Sequence, residues 1–411
     1  MTDRALEGLR IIEFTDELGP YAGRLLADLG AEVIKVEPPS GGRLRHLPPY
    51  YHGKEGPDTS IAFWVLNTSK KSVVLDLDTP EGQARAKRLI LSADAVIEDN
   101  PVGWMAARGL GYDQLSAQKA SLVYTSVTGF GQTGPHAGYV YDDIIGQAMG
   151  AIMTLAGEPT DPPFQIYGNQ SNASASIEAA QGTLLALLSA SQTGEGQYVD
   201  VSAQESLSMS QETAMQTWDL QKKNRTRTGE RGMIPIPLPA MGVFPTTDGH
   251  IMAYILAPAG EDLPALIDWM RERGMAADLD EEPYKSIAGE LNMAMITQAM
   301  TNPAQAGQFV GALMHISELI KTFFASLSSV EAYEEGQRRR LLIGIVSTPK
   351  TLAENTQLRA RNWFQPIEFP NLGVTIEFPG APYRLSETPV EIGRPPRLGE
   401  HTDAVLGALT A

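Results

Sequence analysis

Two adjacent carboxylates, Asp142 and Asp143, stand directly before an apolar stretch over 144–153 that is typical of a helix. A carboxylate in a cleft can serve as a general base, which removes a proton from a bound substrate. Two acids in the first turn of a helix also complement the helix dipole, and this is the structural alternative. Because neighbouring residues point in different directions around a helix, we expect at most one of the pair to face a site.

A polar loop with two lysines, NTSKK at 67–71, precedes the β-like run at 72–77. Such a loop can hold the phosphates and the base of a nucleotide, and a solvated surface loop is the alternative. The formal net charge of the chain is −17, so two adjacent cations at the entrance of a strand are informative.

A glycine-rich segment, GFGQTG at 129–134, has the spacing of half a dinucleotide-binding fingerprint. The fingerprint also requires a helix that opens at this point and an acidic residue about 20 positions further on. Pro135 and a second turn-rich stretch follow instead. We therefore interpret the segment as a tight structural loop.

The segment YGNQSNASASIEAAQG at 167–182 leads into a helix predicted over 173–191, and it contains no ionised side chain before Glu178. Asn172 or Ser174 can cap this helix by accepting backbone N–H bonds at its start. Ordinary helix capping and a site that lacks its reactive group are both consistent with this neutrality.

The composition excludes several classes of protein. A length of 411 residues, 43% of them hydrophobic, indicates a globular protein of about two domains, at roughly 100–200 residues each. The net charge of −17 argues against nucleic acid as the main partner. There is no cysteine and the 6 histidines lack paired ligand spacing, so we expect no metal site. No apolar run approaches the roughly 20 residues that span a bilayer, so we expect no membrane partner and a cytoplasmic location.

Short β-like runs alternate with helical stretches through the first half of the chain. This alternation is typical of a mainly parallel sheet with helices on its faces. From about 225 the composition changes to a basic connector rich in Pro and Gly, and a hairpin is predicted over 244–255 around Asp248 and Gly249. A second, smaller domain is predicted to begin here.

Taken in order, several segments resemble the family III coenzyme A transferases, which include formyl-CoA and carnitine CoA-transferases and the α-methylacyl-CoA racemases. The segments are LEGLRIIEFT, GPYAGRLLADLGAEVIKVEPPSGG, LNTSKKSVVLDLDTPEG, ADAVIEDNPVG, GFGQTGP, DDIIGQAMGAIM, TGEGQYVDVSA, GVFPTTDGHI and GAPYRLSETP. None of them is specific alone, but their common order through the chain identifies the family.

The resemblance implies an α/β fold with a large Rossmann-like parallel-sheet domain and a smaller central α+β domain. The large domain would comprise residues 1–224 and 336–411, and the small domain residues 225–335. The resemblance also implies that two protomers are threaded through each other as interlocked rings.

The resemblance further implies that CoA or an acyl-CoA is a substrate and that no cofactor is tightly bound. In this family the adenine and phosphates of CoA lie along the large domain. Carried over to this sequence, the candidate contacts are Asn67, Thr68, Ser69, Lys70, Asp99, Asn100 and Arg108. The resemblance thus assigns the NTSKK loop to the binding of CoA.

CoA transfer in this family depends on an aspartate that attacks the thioester and forms a mixed anhydride. A carboxylate is required because it must be a nucleophile and later a leaving group. The family's aspartate position falls on Asn172, whose amide cannot replace that chemistry. In the racemase branch the acid–base histidine falls on Asp142 and the aspartate again on Asn172. The family's glycine four residues later is Ser176.

Three functions fit these residues. In the first, the chain is the subunit without the nucleophile in a heteromeric transferase, such as the benzylsuccinate type. A homologous partner carries the aspartate, and CoA moves from an acyl-CoA such as succinyl-CoA to a carboxylic acid. In the second, the chain is a stand-alone isomerase, racemase or lyase, with Asp142 as the base and Asn172 as an amide donor to the thioester oxygen. In the third, it is a non-catalytic acyl-CoA-binding protein.

Overall fold

The structure is a computed structural model, and it describes residues 4–229, 238–255, 263–292, 295–296 and 303–409. The chain divides into two compact units. The larger unit runs to Met153, resumes over Gln165–Lys223 and takes up the chain again from Thr356. The smaller unit comprises Thr154–Phe164 and Asn224–Asn355.

Six parallel strands form the main sheet of the larger unit. They are β1 (Arg10–Phe14), β2 (Glu32–Glu37), β3 (Lys71–Val74), β4 (Ala95–Glu98), β5 (Val123–Thr128) and β6 (Tyr198–Ser202). Their order across the sheet is β3-β2-β1-β4-β5-β6, which is the order of doubly wound dinucleotide-binding folds. β4 and β5 are buried along their whole length because both faces of a parallel sheet are covered. The predicted α/β class is confirmed.

The described helices connect and cover these strands and those of the smaller unit. They are α1 (Pro20–Asp28), α2 (Ile61–Leu66), α3 (Pro80–Leu91), α4 (Trp104–Ala107), α5 (Tyr112–Ser116), α6 (Asp143–Met149), α7 (Ile152–Leu155), α8 (Gln170–Thr193), α9 (Ala203–Met209), α10 (Thr213–Gln221), α11 (Leu263–Glu272), α12 (Tyr284–Glu290), α13 (Pro303–Ala325), α14 (Ser329–Arg338), α15 (Pro349–Ala353), α16 (Thr356–Ala360) and α17 (Thr402–Ala408), with short 3-10 turns at Arg43–His46 and Tyr51–Gly53.

Two hydrophobic layers enclose the main sheet, because alternate residues of a strand face opposite sides. On one face, α1 and α8 pack against a layer that includes Ile11 and Val123. On the other face, α3 and α17 pack against a layer that includes Ile12 and Val96. α8 begins at Gln170, earlier than predicted, and stops at Gly194, whose φ of 76° suits the predicted glycine stop.

Chain segments near the C-terminus complete the larger unit. The edge strand β3 is covered by the stretch before α17, where His401 N donates to Ser72 O at 2.9 Å. The antiparallel hairpin of β10 (Phe364–Phe369) and β11 (Val374–Pro379) packs on α2, with the Phe369 and Trp64 rings 4.7 Å apart. Both ends of the chain therefore build this unit.

The smaller unit combines a three-stranded antiparallel sheet with helices. Its strands, in sheet order, are β7 (Met241–Pro245), β8 (His250–Tyr254) and β9 (Ile343–Ile345). The hairpin predicted around Asp248 and Gly249 is present, and Thr246 N donates to Gly249 O at 2.9 Å. Its apolar core includes the buried rings of Trp269 and Phe323. The predicted α+β character of this part is confirmed.

The first predicted domain limit lies close to a boundary between the two compact units, and the second lies about 20 residues before one. The limit after residue 224 lies beside Asn224, where the main segment of the smaller unit begins. The limit after residue 335 lies before the end of that unit at Asn355, because β9 pairs with β8. The predicted Pro/Gly-rich connector lies partly outside the described residues, which omit 230–237.

No single helix among the described residues has the length and apolar character that a membrane crossing needs. By length and composition alone one pair meets this requirement jointly, Gly307–Ala325 with Ser329–Arg338, across a bend of 114°.

Candidate functional site

The order of the main sheet reverses between β1 and β4, and open α/β sheets hold their ligands beside the carboxyl ends of strands at such a point. A cleft of about 580 Å³ lies here. Its lining includes residues that follow β1, β4 and β5, together with Asp142 and Asn172. A second cavity of about 300 Å³ shares Asp16, Asp99 and Asn100 with it. The chain therefore brings four of the predicted site residues, Asn172, Asp142, Asp99 and Asn100, into one cleft.

Asp99 holds the loop that follows β1. Its carboxylate accepts the backbone N–H groups of Asp16, Leu18 and Gly19 at 2.9–3.0 Å. Burial raises the pKa of Asp99 to about 6, although these backbone donors favour the charged form. The residue predicted as a CoA contact thus fixes one wall of the cleft through the backbone.

Asn172 also bonds to the loop that follows β1. Its Nδ2 donates to the carbonyl oxygen of Glu17 at 3.3 Å, and its Oδ1 accepts from the Tyr141 hydroxyl at 3.0 Å. Four residues later, the Ser176 hydroxyl donates to Leu18 O at 2.7 Å. Both halves of the amide are therefore engaged with the walls of the cleft.

The start of α8 is capped by a residue of another helix. Asp143, buried in α6, accepts the backbone N–H groups of Ser171 at 2.9 Å and Asn172 at 3.0 Å. The expectation that Asn172 or Ser174 caps α8 is wrong, because Asn172 lies inside the first turn and Ser174 donates to Gln170 O at 2.9 Å. The Asp143 carboxylate complements the dipole of α8.

Glycines let Tyr141 approach α8. A Cβ on Gly129 would lie 2.3 Å from the Tyr141 ring, and one on Gly146 would lie 2.2 Å from Ser171 Oγ. Gly131 follows with a φ of +82°. The segment GFGQTG is therefore a packing loop beside the cleft, in agreement with its interpretation as a structural loop.

The cleft beside Asn172 is lined by two further carboxylates, those of Glu17 and Asp142. Glu17 is half-buried and pairs with Arg43, whose Nε lies 2.8 Å from Glu17 Oε1. Burial raises the pKa of Glu17 against the effect of Arg43, and the nearby Asp142 carboxylate raises it further. Asp142 is exposed, and no hydrogen bond or ion pair in the described part of the chain engages its side chain.

Asn100 is oriented by a buried carboxyl group. Its Nδ2 donates to Phe14 O at 3.1 Å and to Glu98 Oε2 at 3.2 Å. The other oxygen of Glu98 accepts a short hydrogen bond from Ser126. Burial raises the pKa of Glu98 to about 7, although its hydrogen bonds oppose the shift. Asn100 lines the cleft, and within the described part of the chain its Oδ1 accepts no hydrogen bond.

The predicted phosphate loop lies in the interior rather than in the cleft. Lys70 Nζ contacts Glu13 at 2.7 Å and donates to Asn67 Oδ1 at 2.9 Å. Thr68 and Ser69 both donate to the Asp28 carboxylate, Ser69 at 2.6 Å. In this structure Asn67, Thr68, Ser69 and Lys70 serve internal hydrogen bonds, since Asn67, Thr68 and Lys70 are at most 3% exposed.

Arg108 lies beside the second cavity. Its guanidinium stacks 3.6 Å from the Trp104 ring, which lines that cavity, and its Nη2 lies 2.7 Å from Asp78 Oδ1. It is therefore a rim residue that already carries an ion pair.

Several cleft residues lie outside the set predicted from sequence. Glu17 and Arg43 supply charge, Tyr141 holds Asn172, and the buried hydroxyl of Thr128 has no partner within the described residues. Glu17 could have been identified as a site residue from its position, because it follows β1, the strand at which the sheet order reverses. Within the described residues, no cluster of three or more His, Asp or Glu side chains suits a metal ion.

Comparison with known proteins identifies the family. The family model described as CoA-transferase family III matches residues 6–402. The chain belongs to CoA-transferase family III. The relationship drawn from the ordered motifs is confirmed.

Two curated relatives extend this result over nearly the whole chain. Succinyl-CoA:(R)-benzylsuccinate CoA-transferase subunit BbsE of Thauera aromatica is 34% identical, covering 97% of this chain and 92% of that protein. Succinate–glutarate CoA-transferase of Agrobacterium fabrum is 30% identical, covering 98% of this chain and 95% of that protein. Both names describe the transfer of CoA between carboxylic acids.

A solved structure shows the same fold. The crystal structure of a CAIB/BAIF family protein from Brucella suis superposes with a TM-score of 0.84 at 25% identity. The match covers 99% of this chain and 100% of that one. The chain is thus a family III CoA-transferase by sequence and by fold.

Proposed function

We propose that this chain is the subunit that lacks the nucleophile in a heteromeric family III CoA-transferase. The observation that carries the proposal is the state of Asn172. It lies in the cleft at the first turn of α8, and both ends of its amide are bonded, to Glu17 and to Tyr141. An amide cannot form the mixed anhydride that CoA transfer in this family requires.

In this proposal a homologous partner carries the aspartate and performs the transfer from an acyl-CoA such as succinyl-CoA to a carboxylic acid. The name of the BbsE relative, a transferase subunit, supports a division of labour of this kind. Exposed apolar side chains on consecutive helices of the larger unit also support a partner, because large exposed apolar patches mark interaction surfaces. They are Leu185, Leu188, Met209, Met215, Trp218 and Leu220. The interlocked arrangement of two protomers remains part of this proposal.

The same proposal includes binding of CoA or an acyl-CoA in the cleft beside the point where the order of the main sheet reverses. The family relationship and the position of the cleft support it. Asn100, through its side-chain oxygen, and Thr128, whose hydroxyl has no partner within the described residues, offer hydrogen bonds to a ligand. Arg43 and Arg108, at the rim, carry positive charges that the phosphates would share with their ion-pair partners Glu17 and Asp78.

The test is purification of the chain from its native cell, identification of the protein that copurifies, and a CoA-transfer assay with and without that protein. We expect a homologue with an aspartate at the position of Asn172, and transfer only when both chains are present. A homodimer that transfers CoA at ordinary rates would contradict the proposal.

One observation favours a second function, the stand-alone acyl-CoA enzyme. Asp142 lines the same cleft as Asn172, and its carboxylate is unengaged within the described residues. A general base at this position could remove a proton beside a thioester carbonyl. Turnover of an acyl-CoA by the isolated chain, lost in Asp142→Asn, would support this function. Binding without turnover under any pairing would instead support a non-catalytic acyl-CoA-binding protein.

A further inference from the structure

The cleft beside Asn172 carries more negative than positive side chains. Its described lining contains the carboxylates of Asp16, Glu17, Asp99, Asp142 and Asp143, and one cationic side chain, that of Arg43. A ligand that enters this cleft therefore meets an acidic environment.

Three of these carboxylates accept hydrogen bonds from backbone N–H groups. Asp16 accepts the N–H of Arg43 at 2.6 Å, Asp99 accepts three backbone N–H groups, and Asp143 caps α8. Backbone donors favour the charged form of such a group and occupy its oxygens. These three acids stabilise the backbone that forms the walls of the cleft.

Glu17 and Asp142 are the two carboxylates that remain to act on a ligand. Glu17 forms an ion pair with Arg43, whose side chain is 64% exposed. Asp142 has no such partner within the described residues, and it lies close enough to Glu17 to raise the pKa of that group. The other lining residues include the apolar side chains of Leu18, Val102 and Val140.

We propose that Glu17 and Asp142 restrict this cleft to CoA thioesters whose acyl group carries no negative charge. The inference rests on the proposed binding of acyl-CoA, in which the thioester lies beside Asn172. A free carboxylate on the acyl chain would then lie near two like charges close to the protein surface, where Coulomb repulsion is stronger than in bulk water. An uncharged acyl chain would contact the apolar side chains of the lining instead. In a heteromer, a succinyl group would thus belong to the cleft of the partner.

The test compares two stable thioethers with the same three methylene groups, S-butyl-CoA, which ends in a methyl group, and S-(3-carboxypropyl)-CoA, which ends in a carboxylate. Each is titrated into the purified chain by isothermal calorimetry at low ionic strength. We expect the butyl thioether to bind about tenfold more tightly, the size that one screened like-charge contact near a protein surface allows. In the variant Glu17→Gln/Asp142→Asn the two affinities are expected to converge.

The matched control is Glu368→Gln/Asp403→Asn, which changes the net charge equally at two exposed residues of the larger unit that do not line the cleft. It should keep the native preference. Equal affinities for the two thioethers in the native chain would overturn the selectivity while leaving CoA binding intact. A cleft variant that discriminates as strongly as the native chain would overturn the role of Glu17 and Asp142. Failure of both thioethers to bind would overturn the proposed CoA binding itself, and this inference with it.

Discussion

The side-chain nitrogen of Asn172 donates a hydrogen bond to the carbonyl oxygen of Glu17 at 3.3 Å. On the other side of the amide, Oδ1 accepts from the Tyr141 hydroxyl at 3.0 Å. An amide supplies both a donor and an acceptor, whereas a carboxylate supplies only acceptors. Position 172 is therefore chemically suited to joining two walls of the cleft, and it is unsuited to attack on a thioester.

The variant Asn172→Asp tests this assignment. The substitution removes the donor to Glu17 O and places a negative oxygen against that carbonyl, which we expect to lower the free energy of unfolding by about 1–2 kcal/mol. Urea denaturation measures the loss. If the rest of the nucleophile's site is intact, incubation with an acyl-CoA should also produce an acyl-enzyme that hydroxylamine cleaves.

Asn169→Asp is the matched control for this variant. It adds the same charge at the same end of α8, but Asn169 makes no side-chain capping bond there. A carboxylate near a helix N-terminus is mildly favourable, so the control should be neutral or slightly stabilising. Equal stability of the two variants would show that the Asn172–Glu17 bond contributes nothing.

The strands and their parallel arrangement could be predicted from sequence, because apolar runs and helices alternate in a pattern that physical periodicity determines. The contact between Asn172 and Glu17 could not, since it joins positions 155 residues apart. The NTSKK loop shows a second reason why the sequence alone does not predict the site. NTSKK has the composition of an exposed phosphate loop, but distant carboxylates make it a buried network. Glu13, 57 residues from Lys70, binds that lysine, and Asp28 accepts from Thr68 and Ser69. Local composition does not reveal a distant partner for a charge.

Lys70→Met tests whether Lys70 is structural. Burial lowers the pKa of Lys70 to about 8 against the effect of Glu13. Burial would raise the pKa of Glu13, but Lys70 and Lys35 outweigh it and hold that pKa below its ordinary value. Loss of one partner leaves a buried charge less compensated, so we expect a destabilisation of about 3 kcal/mol in urea denaturation.

Lys71→Met is the control for Lys70→Met. Lys71 pairs with Glu32, but its side chain is 43% exposed, so its loss should cost no more than about 1 kcal/mol. The double variant Glu13→Gln/Lys70→Met should recover part of the loss. A Lys70→Met chain of native stability that no longer binds CoA would instead support the phosphate contact implied by the family resemblance.

The raised pKa of Glu98 leads us to expect that the stability of the chain depends on pH. This pKa is raised by burial from 4.5 to about 7, so the folded chain binds the Glu98 proton more tightly than the unfolded chain does. The stability from Glu98 is therefore fully present below about pH 4.5 and is lost as the pH rises through about 7, a change of about 3 kcal/mol. Glu98→Gln keeps an acceptor for Asn100 and removes the titration.

Urea denaturation between pH 4 and pH 8 compares Glu98→Gln with the native chain. We expect similar stability at the acid end and a more stable variant at the alkaline end. Glu368→Gln, at an exposed position, is the control, and it should not become more stable than the native chain at the alkaline end. Parallel curves for Glu98→Gln and the native chain would contradict a raised pKa at this position.

The exposed apolar face of α8 gives the sharpest test of a partner subunit. Leu185 and Leu188 are 60% and 57% exposed, so burial in the isolated chain does not explain them. Leu185→Glu/Leu188→Glu should leave the free energy of unfolding of the isolated chain within about 0.5 kcal/mol of native, because exposed positions tolerate substitution. The same variant should lose the copurifying protein, since two charges would have to be desolvated at the interface. Val330→Glu, at a position that is 53% exposed in α14 of the smaller unit, is the control and should retain it. If the α8 variant still copurifies with the partner at native yield, this face does not contact the partner.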